Sequence, residues 1–254
     1  KRVRDKSFKI FELNKIIVKK GLLQNEVQKF YYPYFFNRKK KLPFVTGKIA
    51  ISKNNLIYSK INRKITNLYS DKFTHLLRYK NDSLMISYKT LNKDNPKLNC
   101  RLKGLERFSP KRVILDNKLD TKINSYIIKT ANNNNTLIFY NLADKSKVLD
   151  FKRRGIKLIK SKINKIDKFD IKVILKKLYT LGCRNLLIEG GDILTSHLVK
   201  NKIFNKFYLL KSPKNHSKSS EYLKFNSLNV LNKKYKKKTN LNLNLRKDRI
   251  TLYR

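Results

Sequence analysis

The chain has 254 residues, 40% of them hydrophobic, and 62 Lys and Arg against 17 Asp and Glu give a formal charge of +45. That apolar content at this length is enough for one large core or two modest ones, which excludes a disordered tail and favours a globular enzyme. Apolar runs broken every few residues by Lys or Asn exclude a membrane helix, and Cys100 and Cys183, far apart and without CxxC, HExxH or HxE spacing, exclude a zinc site or a disulfide framework.

The opening reads as a strand over 16–19, a turn at Gly21 and a helix over 22–37, with Leu23, Val27, Phe30 and Tyr34 at helical spacing. The basic run 37–41 before Pro43 reads as a solvated linker. From there strands and helices alternate: a strand over 44–51, a helix over about 66–79, then strands over 83–86, 112–115, 136–140 and 156–159. The clearest helix covers 170–181, with Ile171, Ile174, Leu175 and Leu178 on one face, Asp170 as N-cap and Gly182 as its stop. A buried strand over 185–189 follows, then a second helix, a strand over 204–211, and a closing hairpin in which Leu241, Leu243 and Leu245 turn at 246–248 and return through Ile250 and Leu252. The alternation predicts an α/β fold.

The sharpest motif is Leu186-Leu187-Ile188-Glu189-Gly190-Gly191-Asp192-Ile193-Leu194, an apolar strand ending in an acid and two glycines that open a helix. Missing side chains let backbone N–H groups approach a phosphate at a helix N-terminus, although the spacing is not the GxGxxG fingerprint. The same turn also serves as an ordinary tight connection, and a strand-end Glu can merely cap the next helix.

Several blocks in order carry a resemblance: Pro43 to Ser52 (PFVTGKIAIS), Ile65-Thr66, Leu76-Leu77-Arg78, Thr90 to Arg101 (TLNKDNPKLNCR), Arg112 to Asp116, the Glu-Gly-Gly block and the strand ending at Pro213. They resemble the C-terminal reductase domain of the bacterial bifunctional riboflavin-biosynthesis deaminase/reductase family. The resemblance implies a dihydrofolate-reductase-like α/β domain over 43–254, a mostly parallel sheet flanked by helices with a C-terminal β-hairpin, preceded by a deaminase-domain remnant over 1–38 and a linker over 39–42. It further implies NADPH-dependent reduction of 5-amino-6-(5-phosphoribosylamino)uracil, a phosphorylated aminopyrimidine, by a cytoplasmic homodimer formed through the reductase domain. No signal peptide is evident, and the start at Lys1 with Met85 as the only methionine reads as a fragment or a processed product.

Site roles follow from the matched positions. Lys48, Asp94 and Glu189 are the implied catalytic residues. Asn62, Arg78, Leu98, Arg101 and Glu189 are the implied substrate ligands, Arg78 and Arg101 as forks for the phosphate. Ala50, Lys64, Thr66, Thr90, Asp94, Asn117 and the stretch Gly190, Gly191, Asp192, Ile193, Leu194, Thr195, Ser196 and His197 fall where the family holds its cofactor. No metal is implied. Asp94, before Asn-Pro, can instead organise a turn, and Lys48 on an exposed face would be one lysine among many.

Some positions depart from the family pattern. Asn54-Asn55 stands for Asp-Gly, Asn62 and Lys64 for Ser and an aromatic residue, Asp71 for Arg, and Asn205 for Asp; the deaminase motif HxE with PCxxC is absent. A rival within the enzymes is the related 2,5-diamino-6-ribosylaminopyrimidinone 5′-phosphate reductase, which acts before deamination. A rival outside them is a basic nucleic-acid-binding protein, supported by charge alone. The positive charge is spread along the chain, and abundant Lys, Asn and Ile with 7 Gly and 0 Trp is the skew that A/T-rich codons produce, so neither a nucleic-acid nor a membrane partner is expected. An inactive fragment is the third reading.

Overall fold

Strands that are apolar on both faces need cover on both faces, and this sequence supplies them as unbroken runs: Leu186, Leu187 and Ile188, or Val113, Ile114 and Leu115, are all buried. The computed structural model describes residues 6–19, 21–61, 64–164, 168–218 and 221–254. In chain order the elements are α1 (Lys6–Leu13), α2 (Gln24–Lys40), β1 (Phe44–Ile51), β2 (Leu56–Ser59), α3 (Leu68–Tyr79), β3 (Ser83–Ser87), α4 (Tyr88–Asp94), β4 (Lys111–Leu115), α5 (Tyr126–Lys129), β5 (Thr136–Tyr140) and α6 (Lys145–Arg153). There follow β6 (Lys157–Lys160), α7 (Ile171–Thr180), β7 (Asn185–Glu189), α8 (Asp192–Lys200), β8 (Lys206–Lys211), β9 (Tyr222–Lys224), α9 (Leu228–Lys234), β10 (Lys238–Leu241) and β11 (Arg249–Tyr253).

The main sheet runs β10-β11-β8-β1-β7-β3-β4-β5-β6, parallel from β8 to β6, with β11 and β10 added antiparallel as the terminal hairpin. Strand alternation divides the core. Met85, Val113, Leu115, Leu186 and Ile188 pack with α7, α8 and α9. Leu84, Ile86, Ile114, Ile138 and Leu187 pack with α3, α4, α5 and α6 on the opposite face. Gly47 in β1 is required for close approach, because a Cβ there would run into the rings of Phe204 and Phe207. The mostly parallel sheet flanked by helices is the expected architecture, and it puts the carboxyl ends of β1, β3, β4 and β7 at one edge.

Local signals act as the sequence predicts in several places. The Asp170 carboxylate accepts from the Lys172 amide at 2.9 Å and so starts α7. Asn55 adopts a left-handed φ of 65°, the geometry that Asn tolerates in place of Gly. Asn205 Oδ1 accepts from the Val45 amide at 2.7 Å, work that an Asp oxygen would do.

Other expectations are corrected. Residues 16–19 form no strand, and the helix expected over 22–37 starts at Gln24 and continues to Lys40, so Lys39 and Lys40 stand in its last turn and not in an extended linker. Cations are favourable at a helix C-terminus, and Lys41 ends the helix in a left-handed conformation, its N–H donating to Asn37 O. The hairpin strand ends at Leu241, while Leu245, expected in that strand, packs from the connecting loop against Leu210 and Ile250. The short pair β2 and β9, and α4, α6 and α9, escape the periodicity reading because they are short or largely exposed. No described helix is long and apolar enough to cross a membrane.

Candidate active site

A cavity of about 1110 Å³ opens where β1, β3, β4 and β7 end. Parallel register sets Lys48 beside Glu189, which directs both side chains to the same face of the sheet. Arg78, in the last turn of α3, reaches Glu189 from that face. Its Nε donates to Glu189 Oε1 at 2.8 Å and its Nη2 to Oε2 at 3.0 Å, while Nη1 donates to the Asn99 carbonyl at 3.1 Å.

The electrostatics of this cluster are asymmetric. Burial pushes the Glu189 carboxyl up, but Arg78, through charge and hydrogen bonds, and then Lys48 outweigh it and hold the pKa at about 2. Glu189 is therefore a fixed anion at neutral pH. Burial lowers the Lys48 pKa; Glu189 opposes that shift, Arg78 adds to it and Asp71 opposes it. Asp71, the residue standing for the family's Arg, forms an ion pair with Lys64 at 2.7 Å. Among the described residues Lys48 makes no ion pair of its own.

A second wall comes from the turn into α8. Gly191 caps that helix without any side-chain hydrogen bond at φ −68°, an ordinary conformation. A Cβ on Gly191 would meet only Thr90 Oγ1, at 3.4 Å, and the Gly191 amide already donates to that oxygen at 3.4 Å. Thr90 is set by the first turn of α4, where Ser87 is the N-cap. Asn117, after β4, lines the cavity, and its Oδ1 is buried with no partner among the described residues. Asp116 beside it fixes that loop by accepting from the Thr121 amide and hydroxyl, each at 2.7 Å.

Most of the sequence-predicted residues meet here. Lys48, Ala50, Arg78, Thr90, Asp94 and Leu98 line the cavity, as do Asn117, Glu189, Gly190, Gly191, Asp192, Ile193, Leu194 and His197. Others do not. Lys64 is turned to Asp71 and Thr66 is buried away from the cavity. Thr195 is buried with its hydroxyl toward the Gly190 carbonyl, and Ser196 donates to Asp192 and meets Ser227 Oγ at 2.6 Å, because every third or fourth residue of α8 faces the core. Arg101 is exposed outside the lining, with Nη1 3.4 Å from Asn99 Oδ1. Arg78, expected as a phosphate fork, has that fork committed to Glu189. Asn62 lies outside the described residues.

Asp94 ends α4, and in the turn after it Asn95 stands at φ 41° with its Oδ1 accepting from the Tyr126 amide. Sequence reasoning missed Tyr58, Tyr222 and Asn226, which line the cavity from β2, β9 and the residues after β9. No periodic signal marks those short strands. Asn226 donates through its backbone N and Nδ2 to the Asp192 carboxylate.

Residues 56–215 match the RibD C-terminal domain family. Riboflavin biosynthesis protein RibD of Actinobacillus pleuropneumoniae is 26% identical over 199 residues, 78% of this chain and 52% of its own. The 2,5-diamino-6-ribosylamino-4(3H)-pyrimidinone 5′-phosphate reductase of Debaryomyces hansenii is 31% identical over 186 residues, 67% of this chain and 75% of its own. A solved RibD structure from Acinetobacter baumannii superposes on 98% of this chain and 68% of that one, with a TM-score of 0.75 at 18% identity. The chain spans about half the length of the curated RibD relatives it matches. It belongs to the RibD C-terminal domain family.

Proposed function

We propose that the chain uses NADPH to reduce 5-amino-6-(5-phosphoribosylamino)uracil to its ribitylamino product. The observation that carries this reading is a single cavity with a buried cation–carboxylate cluster on one wall and the glycine-opened start of α8 on the other. The residues fit a dinucleotide. An uncapped helix start with only hydrogen on its glycines admits a pyrophosphate, the Asp192 carboxylate is engaged by donors from Ser196 and Asn226, and the buried Asn117 Oδ1 has no donor among the described residues. Ile193 and Leu194 would hold the pyrophosphate by backbone N–H at the opening that Gly190 and Gly191 leave, and Asn117 Oδ1 would accept from a hydroxyl or amide of the dinucleotide. When bound, the cofactor supplies a hydride to ribose C1′.

The chain's own groups do the rest. Reduction breaks the C1′–O4′ bond, so the departing oxygen must receive a proton. Lys48 is the donor in this reading, since a lowered pKa makes an ammonium a better acid near neutral pH. Glu189, ionised throughout, orients the sugar and balances the Lys48 charge, and Arg78 locks Glu189 in place. Arg101, exposed at the edge beyond Leu98, is the candidate for the phosphate. In this reading residues 43–254 are the reductase unit and 1–38 resemble deaminase-domain sequence, with Phe30 and Phe35 of α2 exposed.

The Debaryomyces hansenii relative, named for the 2,5-diamino substrate, favours that compound as the second reading. The RibD superposition over 98% of the chain, α1 and α2 included, supports the first. Steady-state NADPH oxidation with each compound, and with NADH in place of NADPH, tests the choice. A higher kcat/KM for the uracil and a preference for NADPH are expected. The reverse order of substrates would transfer the assignment, and equal use of NADH would remove the cofactor claim.

A further inference from the structure

His75 sits on α3 three residues before Arg78, buried, and together these two residues hold the turn over 99–101. The Asn99 carbonyl accepts from Arg78 Nη1 at 3.1 Å, Cys100 Sγ donates to the His75 carbonyl at 3.6 Å, and the Cys100 amide donates to Ser109 Oγ at 3.0 Å. His75 Nδ1 lies 3.2 Å from the Arg101 amide and 3.1 Å from the Asn99 carbonyl. One nitrogen cannot both accept from the first and donate to the second. The Asn99 carbonyl already has a donor in Arg78. The Arg101 N–H would instead face another N–H if Nδ1 carried the proton. The arrangement therefore favours an unprotonated Nδ1 that accepts from Arg101, with the proton on Nε2. Just before the turn, Leu98 is held at φ 54°, a left-handed conformation that a Leu keeps only where its surroundings impose it.

We propose that neutral His75 is a positioning residue that presents Arg101 to the phosphate of the substrate. The inference rests on the reading of Arg101 as the phosphate ligand. The groups around the imidazole agree with it: burial lowers the His75 pKa, Arg78 and Arg101 lower it further, and the Asn99 carbonyl and Glu189 oppose them without reversing the shift. Protonation would exchange the Arg101 contact for a bond to the Asn99 carbonyl, add a third cation beside two guanidiniums and free the Arg101 amide. The phosphate site would then weaken on the acid side.

The test compares steady-state kinetics of wild type, His75→Leu, His75→Asn, Arg101→Ala and the His75→Leu/Arg101→Ala double variant, on the phosphorylated substrate and its dephosphorylated counterpart. An Asn places an amide oxygen where Nδ1 sits. His75→Leu should raise KM for the phosphorylated substrate about five- to tenfold, the range of one lost hydrogen bond, and leave KM for the dephosphorylated compound and NADPH affinity unchanged. His75→Asn should recover wild-type KM, and His75→Leu should add nothing in the Arg101→Ala background. Wild-type KM should rise more steeply than that of His75→Asn as pH falls through the lowered His75 pKa, the substrate phosphate contributing equally to both profiles.

A raised KM in Arg101→Ala with a normal one in His75→Leu, or additive effects in the double variant, would overturn the positioning role and leave the phosphate reading standing. An unchanged KM in Arg101→Ala would sink the phosphate reading and this inference with it. Should His75→Leu fail to fold, the pH profiles decide: a wild-type KM that is flat on the acid side, or one that the Asn variant shares, rejects the proposal.

Discussion

The wall of the cavity built from Lys48, Arg78 and Glu189 and the wall built from Gly190, Gly191 and the start of α8 sit at the ends of neighbouring strands, yet they depend on different things. The first is side-chain chemistry: three charges, two of them in a bidentate pair with side chains 11% and 14% exposed. The second is largely backbone and space, since Thr195 and Ser196 stand outside the lining, Asp192 is held by Ser196 and Asn226, and the two glycines leave hydrogens facing the cavity. A wall of paired charges is sensitive to removing a side chain. A wall of backbone is sensitive to adding one.

Arg78→Ala is the most severe way to test that contrast. It leaves Glu189 buried without its partner, and about 3–5 kcal/mol of stability should go with it, read as a fall in the denaturation midpoint, together with most of the activity. It should not resemble Arg101→Ala. The same pair has a pH signature. Because the Glu189 pKa is depressed to about 2, its stabilisation is fully present above its unfolded value of about 4.3 and is lost as pH falls toward 2. Glu189→Gln should therefore be less stable than wild type at neutral pH, and the gap should close on acidification below about pH 4. A gap that is constant with pH would mean that Glu189 contributes shape and not charge.

Lys48→Met should lower kcat on the order of a hundredfold, at the lower end of what a positioned proton donor contributes, with NADPH affinity intact. Wild-type kcat should fall at high pH as Lys48 deprotonates, and a pH-independent kcat would remove the lysine from the reaction. Arg101→Ala comes next. A lost charged hydrogen bond costs about 1.5–3 kcal/mol and should appear in the KM of the phosphorylated substrate alone.

Gly191→Val probes the backbone wall and should weaken NADPH binding by about 1–3 kcal/mol, the usual cost of an overfilled site. The melting temperature should hardly move, because φ at Gly191 is −68° and its added Cβ meets only Thr90 at ordinary contact distance. A large loss of stability with unchanged cofactor affinity would make the glycine a packing device and erase the distinction between the two walls.

What could be read in the sequence was local. β1, β5 and β7 run over the residues that their apolar patterns predict, Asp170 caps α7, and the Glu-Gly-Gly turn opens α8, because these features depend on neighbours within a few residues. The same holds for Asn55 in its left-handed turn. The order of such blocks was enough to indicate the fold and its family. By contrast, Arg78 and Glu189 are 111 positions apart, and no periodicity marks them as partners, so both read as substrate ligands until the α3–β7 contact joined them. The facing of Thr195 and Ser196, the separation of Arg101 from the cavity lining and the arrival of Tyr58 and Tyr222 are of the same kind. The sequence determined which segments are strands and helices and where the chain carries reactive groups, since side-chain volume, polarity and backbone preference act locally. Only the tertiary structure decided which charges neutralise one another and which remain directed at the cavity, because that depends on distances between residues remote in the chain and on the water that their packing excludes.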